Sequence, residues 1–204
     1  MNPTPEQVEV GLRVAAHVET ASDFSVAVNA GVHIVAHMPG YLFGSDPDGG
    51  FHLDVSSAPF EIPEAVASQA GRNRIVMTPT VAWTYVASGP DSTEIVRRRH
   101  ALMRRNLERL QEGGVQIVVG SDWFGETAWH EIEAMRALAA WDESELLKMW
   151  AVETPRVVFP DRRIGKLAAG YEASFLVLEA NPLIEFDSVR RIRLRVKQGC
   201  FLSS

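Results

Sequence analysis

Four times before residue 130, an apolar run of strand type leads through a loop into a stretch with helical spacing. This recurrence limits the fold more than any other feature. The runs are Leu12–His17, Val32–His37, Arg74–Thr78 and Val115–Asp122. The helical stretches are Asp23–Ala30 (stopped by Gly31), Pro63–Ala70, Asp91–Glu112 (ended by Gly113-Gly114) and Thr127–Ala140. Glu143–Trp150 and the shorter Thr154–Phe159 continue the helical pattern, and residues 1–10 read as a further helix with Pro5 in its first turn. Strands alternating with helices predict an α/β fold, a parallel sheet with helices outside it.

Three of the four runs end on a residue that can ligate a metal: His17, His37 and Asp122. The C-terminal ends of parallel strands meet at one face, where active sites form. A carboxylate at the tip of a buried strand is costly unless a metal, a cation or a proton compensates it. Two neutral imidazoles and a carboxylate suit a borderline divalent cation, zinc first. Such an ion lowers the pKa of bound water to about 7, and Asp122 would then serve as both ligand and general base. Each residue also has a plainer reading. A strand-end histidine can be a hydrogen-bonded structural residue, and Gly120-Ser121-Asp122 can be the cap of the next helix.

After Pro160 the pattern changes. Ala173–Leu178 and Arg190–Lys197 read as strands joined by an Asn181-Pro182-Leu183 turn. A boundary near 160 therefore predicts one domain over 1–160 and another over 161–204. The net charge of -6 disfavours nucleic acid or an anionic membrane as the main partner. Arg97–Arg99, Arg104 and Arg105 read as a solvated helix face, and the charges alternating along Arg191–Lys197 as a half-buried strand. No run approaches the roughly 18–20 apolar residues of a membrane helix. The single cysteine, Cys200, cannot pair within the chain, and Met1–Glu6 predicts no secretory leader, so a cytoplasmic setting is expected.

Val14–Thr20, then Ala30-Gly31-Val32 leading into Ala36-His37, resembles the fifth and sixth barrel strands of the amidohydrolase superfamily, in its imidazolonepropionase-like and prolidase-like branch. Gly120-Ser121-Asp122 resembles the eighth strand with its metal-binding aspartate. Ile164–Gly170, Ala173–Leu178 and Asn181-Pro182-Leu183 are similar to the family's C-terminal segment, with Ser174-Phe175 in place of its usual Asp-Leu. The resemblance implies the C-terminal half of a TIM (β/α)8 barrel, strands 5–8 with their helices, followed by strands of a small β-sandwich. It also implies hydrolysis of an amide or cyclic amide C–N bond by metal-activated water, with His17, His37 and Asp122 as metal ligands and Asp122 as the catalytic base. One or two zinc ions serve the complete family site. The family's first-strand His-x-His pair and fourth-strand lysine or glutamate have no counterpart in this sequence. Four strands cannot close an eight-stranded barrel. The implied partners are thus a small-molecule substrate and either the missing N-terminal half or a second copy. The rival expectation is a non-catalytic remnant, or an interaction module that keeps the scaffold without metal.

Other candidates are placed by position. Trp123 and Phe124 suit the walls of a substrate pocket, and Thr78 a substrate hydrogen bond, as does Thr80. His130 and Glu131 overlook the site or lie on a helix surface. Tyr41 and Phe43 read as an exposed aromatic pair in a long loop, and His33 as a satisfied core histidine. His52 and His100 read as loop and helix surface.

Overall fold

The computed structural model describes residues 12–41, 56–82, 92–122 and 127–202. The chain divides into two compact units between Ala140 and Trp141, ahead of the change of pattern near 160. The segment 1–10, Phe43, His52, Trp123 and Phe124 lie outside the described residues.

In the first unit, strands β1 (Ala15–His17), β2 (Ile34–Ala36), β3 (Val76–Thr78) and β4 (Gln116–Ile117) form one sheet in that order. Every pairing is parallel, with His17 opposite Ala36, Ala36 opposite Thr78 and Met77 opposite Ile117. The expected α/β alternation is present, with strands shorter than the apolar runs. The Val115–Asp122 run keeps two residues in the ladder. Its later residues Val118 and Val119 remain buried, and the Val118 amide donates to the Met77 carbonyl at 2.9 Å.

The helices are α1 (Ala21–Asn29), α2 (Glu64–Arg72), α3 (Ser92–Glu112) and α4 (Trp129–Leu138). Helix α1 opens on a capping box. The Thr20 hydroxyl accepts from the Asp23 amide at 3.1 Å, and the Asp23 carboxylate accepts from the Thr20 amide at 3.0 Å. Helices α2 and α3 approach at a pair of glycines. A Cβ on Gly71 would lie 1.9 Å from the Gly113 carbonyl oxygen, so no larger residue fits there. The core is built from Phe24 and Val28 of α1, Val35 and Met77 of the sheet, Leu102 and Leu107 of α3, and Ile132 of α4, all fully buried. Burying each such side chain contributes roughly 1.5–3 kcal/mol. Arg99 departs from the expected basic face. It is buried, and desolvation pulls its guanidinium down to about 10.

The second unit carries α5 (Glu143–Lys148), a π-helical turn over Met149–Glu153, and α6 (Thr154–Val158). Strands β5 (Phe175–Leu178), β6 (Ile192–Lys197) and β7 (Cys200–Leu202) follow as an antiparallel sheet. The two expected strands are present, and β7 joins them. A two-residue turn at Gln198-Gly199, with φ of 52° and 79°, turns the chain back from Lys197 to its partner Cys200. Positive φ at both central residues is the signature of a tight hairpin turn. A short 3-10 helix, Phe186–Arg190, lies between β5 and β6. No helix among the described residues is long and apolar enough to cross a membrane.

Candidate functional site

The ends of the four parallel strands gather the site. His17 closes β1, His37 follows β2, Thr78 closes β3, and Asp122 lies five residues beyond β4. The rings of His17 and His37 meet edge to face, with centroids 4.4 Å apart. His37 Nε2 lies 3.8 Å from Asp122 Oδ2. The expected convergence of His17, His37 and Asp122 is therefore seen pairwise, through His37.

His37 is the buried member, with 6% of its side chain exposed against 56% for His17 and 48% for Asp122. Desolvation first, and then the neighbouring His17, hold its imidazole below the ordinary value. Asp122 and Glu19 act in the opposite sense. A neutral ring has one N–H and one lone pair. His37 Nδ1 lies 2.7 Å from the Thr80 hydroxyl, whose proton is directed at the Pro79 carbonyl 2.8 Å away. With that proton so directed, the Thr80 oxygen is free to accept an Nδ1 proton, the tautomer that turns the Nε2 lone pair toward the Asp122 carboxylate, as a cation shared between them requires. Backbone bonds add to this grip. The His37 amide donates to the Thr78 carbonyl at 2.9 Å and the Met38 amide to the Pro79 carbonyl at 3.0 Å.

Three residues around this point adopt left-handed backbone without being glycine: His37 at φ 68°, Thr80 at φ 52° and Asp122 at φ 52°. Such conformations are disfavoured, most of all for a β-branched residue, and they cluster at functional sites. Gly120 sets the approach of Asp122. A Cβ there would meet Thr78 Oγ1 at 2.5 Å, so glycine lets the segment that follows β4 pass Thr78.

Four residues that sequence reasoning undervalued belong to this region. Tyr41 is buried and stacks on His37 at 4.5 Å with rings 15° apart, which corrects the expected exposed aromatic. Burial, then Glu19 and Asp122, pushes its phenol up. Glu19 Oε1 lies 3.4 Å from His17 Nε2. Thr80 holds the buried imidazole. Glu131 lies fully buried on α4, not on a helix surface, and accepts the Val81 amide at 2.9 Å and the Ala82 amide at 2.8 Å. Burial pushes its carboxyl up to about 8, against the amides of Ala82, Val81 and Thr80 that favour the charged form. His130, one residue earlier, is exposed with its ring 3.6 Å from Glu133. His33 is the satisfied histidine expected, its Nδ1 accepting the Val14 amide at 3.1 Å.

The donor chemistry suits a divalent cation. Ligand distances of roughly 2 Å bring two donors of one ion to roughly 3–4 Å from each other, and His37 Nε2 and Asp122 Oδ2 are two lone-pair donors at that separation. The donor count falls short, because among the described residues no three His, Cys, Asp or Glu side chains are grouped closely enough to hold a metal ion.

Comparison with solved structures places the fold. An amidohydrolase superposes with a TM-score of 0.71 at 21% identity, over 98% of this chain and 46% of its own. The chain has an α/β fold that matches part of the amidohydrolase and prolidase structures. A prolidase in complex with N-methylphosphonate-L-proline matches with a TM-score of 0.63 at 20% identity, over 97% of this chain and 47% of its own. The Aspergillus niger ochratoxinase matches with a TM-score of 0.69 at 19% identity, over 98% of this chain and 45% of its own. The chain spans about half the length of the structures it matches, and the match is to their C-terminal portion. No family model and no curated protein sequence matches it.

Proposed function

We propose that the chain is the C-terminal half of a metal-dependent hydrolase of the amidohydrolase type, acting on an amide or cyclic amide C–N bond through metal-activated water. In this proposal β1–β4 form half of a (β/α)8 barrel, and β5–β7 are the trailing strands of a small β-sandwich. The observation that carries it is the meeting of His37 and Asp122 at 3.8 Å, with His17 beside them, at one end of a parallel sheet.

His37, its Nδ1 proton committed to Thr80, presents Nε2 as a neutral donor. His17 and Asp122 supply the further donors, and both are open enough to meet a ligand from solvent. A divalent cation held there, zinc first, would supply Lewis acidity toward water and the substrate carbonyl. The Asp122 carboxylate would accept the water's proton. Thr78, at the end of β3, would hydrogen-bond the substrate, with Trp123, Phe124 and His130 as further substrate contacts. The remaining donors would come from the rest of a barrel, supplied by an N-terminal half or a second copy. The lone, exposed Cys200 fits a reducing, cytoplasmic setting.

A second reading, a scaffold retained without metal or catalysis, is favoured by the shortfall of grouped donors. Equilibrium dialysis of the purified chain against zinc separates the two. The proposal expects uptake that falls at least tenfold in His37→Ala and Asp122→Ala, and hydrolysis of N-acyl amino acids once a complementing half is co-expressed. Uptake that is absent, or unchanged in both variants, leaves the scaffold reading.

A further inference from the structure

Thr80 is the residue that decides which nitrogen of His37 carries the proton, and its own conformation is the least favourable in the site. A β-branched residue at φ 52° needs outside support. Pro79 precedes it, and its carbonyl is held by the Met38 amide and the Thr80 hydroxyl. The two residues that follow it, Val81 and Ala82, each donate their amide to one oxygen of the same carboxylate. That carboxylate, Glu131, comes from α4, about fifty residues away in the chain, and none of it is exposed. A fully buried glutamate on a helix is uncommon unless its oxygens have work to do. Here both oxygens are spent on adjacent amides, a geometry that fixes the path of the backbone leaving Thr80.

We propose that Glu131 is a positioning residue: by clamping the Val81 and Ala82 amides it holds Thr80 in its left-handed conformation, and through Thr80 it keeps His37 in the Nδ1–H form with Nε2 free toward Asp122. The inference rests on His37 belonging to the site. Its test does not depend on metal. Above about 8, where Glu131 is ionised, its carboxylate offers an acceptor to each amide, whereas a carboxamide of the same shape offers one acceptor and one N–H. Glu131→Gln therefore opposes a donor to one of the two amides and loosens the clamp while leaving the volume of the core unchanged.

Long-range proton–nitrogen NMR of the metal-free chain, labelled with nitrogen-15 and held at a pH above about 8 so that Glu131 is ionised, reads the tautomer of His37 directly. The wild type is expected to show a single Nδ1–H form. Folded Glu131→Gln is expected to lose it, giving a mixture of both tautomers, as Thr80→Val does. Adding Thr80→Val to Glu131→Gln is expected to change nothing more. If Glu131→Gln does not fold, Glu131→Asp, whose carboxylate falls one methylene short, is read in the same way. A wild-type tautomer in either folded variant, with the Val81 and Ala82 amides newly exchanging with solvent, overturns the proposal and leaves Glu131 as a structural tie alone. Failure of the wild type to take up zinc would defeat the hydrolase reading and leave this result untouched.

Discussion

The ring of His37 stands between Thr80 and Asp122, its Nδ1 2.7 Å from the Thr80 hydroxyl and its Nε2 3.8 Å from the Asp122 carboxylate. A hydroxyl fixes one end of the imidazole and a carboxylate faces the other. The same ring is covered by Tyr41 and edged by His17, so four side chains from four separate segments meet at one buried histidine.

Thr80→Val removes the acceptor for a buried N–H and keeps the β-branched shape. It should destabilise the first unit by about 1–3 kcal/mol, the cost of an unsatisfied buried donor. Thr80→Ser, which keeps the hydroxyl, should stay closer to wild type. Urea unfolding of both variants measures the difference. Equal midpoints would show that the hydrogen bond contributes nothing.

Gly120→Ala places a methyl 2.5 Å from Thr78 Oγ1 and 3.3 Å from its Cβ. The overpacking should cost about 1–3 kcal/mol. Thr78→Ala made together with it should recover most of that loss, because the two sites share one contact. A double-mutant cycle that is additive would rule out the clash.

Stability should fall as pH rises toward and through about 8, on account of Glu131. Its folded carboxyl is raised from the ordinary 4.5 to about 8, so the folded state binds the extra proton between those values. The contribution is complete below the ordinary value and is lost as the buried group ionises. A single group gives a slope of about 1.4 kcal/mol per pH unit at most. Chemical unfolding across this range should show that slope in the wild type, and Glu131→Gln should flatten it.

Thr20→Ala removes the hydroxyl that caps α1. The expected loss is about 1 kcal/mol, seen as a lower melting temperature, while zinc uptake at His37 and Asp122 stays as it was. A change in uptake without a change in melting would contradict the purely structural role of this cap.

Local chemistry carried much of the fold into the sequence. The apolar runs, Thr20 ahead of α1 and Gly113 after α3 act within a few residues, so strands and helices alternate where their patterns do. His17, His37 and Asp122 stood out because each closes such a run. The hairpin to β7 was also written locally, in Gln198-Gly199, a weaker turn signal than the asparagine–glycine pair that usually marks one.

What lies across the chain was decided by packing. Nothing near Thr80 announces a left-handed threonine, and nothing near Glu131 announces a buried one. On a helix pattern, Glu131 sits beside the exposed His130 and reads as its equal. Only the docking of α4 against the end of β3 brings its carboxylate to the Val81 and Ala82 amides and removes it from water. Tyr41 likewise reads as a loop aromatic until the fold lays it on His37. The sequence by itself determined which side chains stand at the strand ends, because strand ends are local. The tertiary structure alone decided how those residues are aimed, because desolvation and hydrogen bonding between distant segments exist only once the sheet and helices are packed.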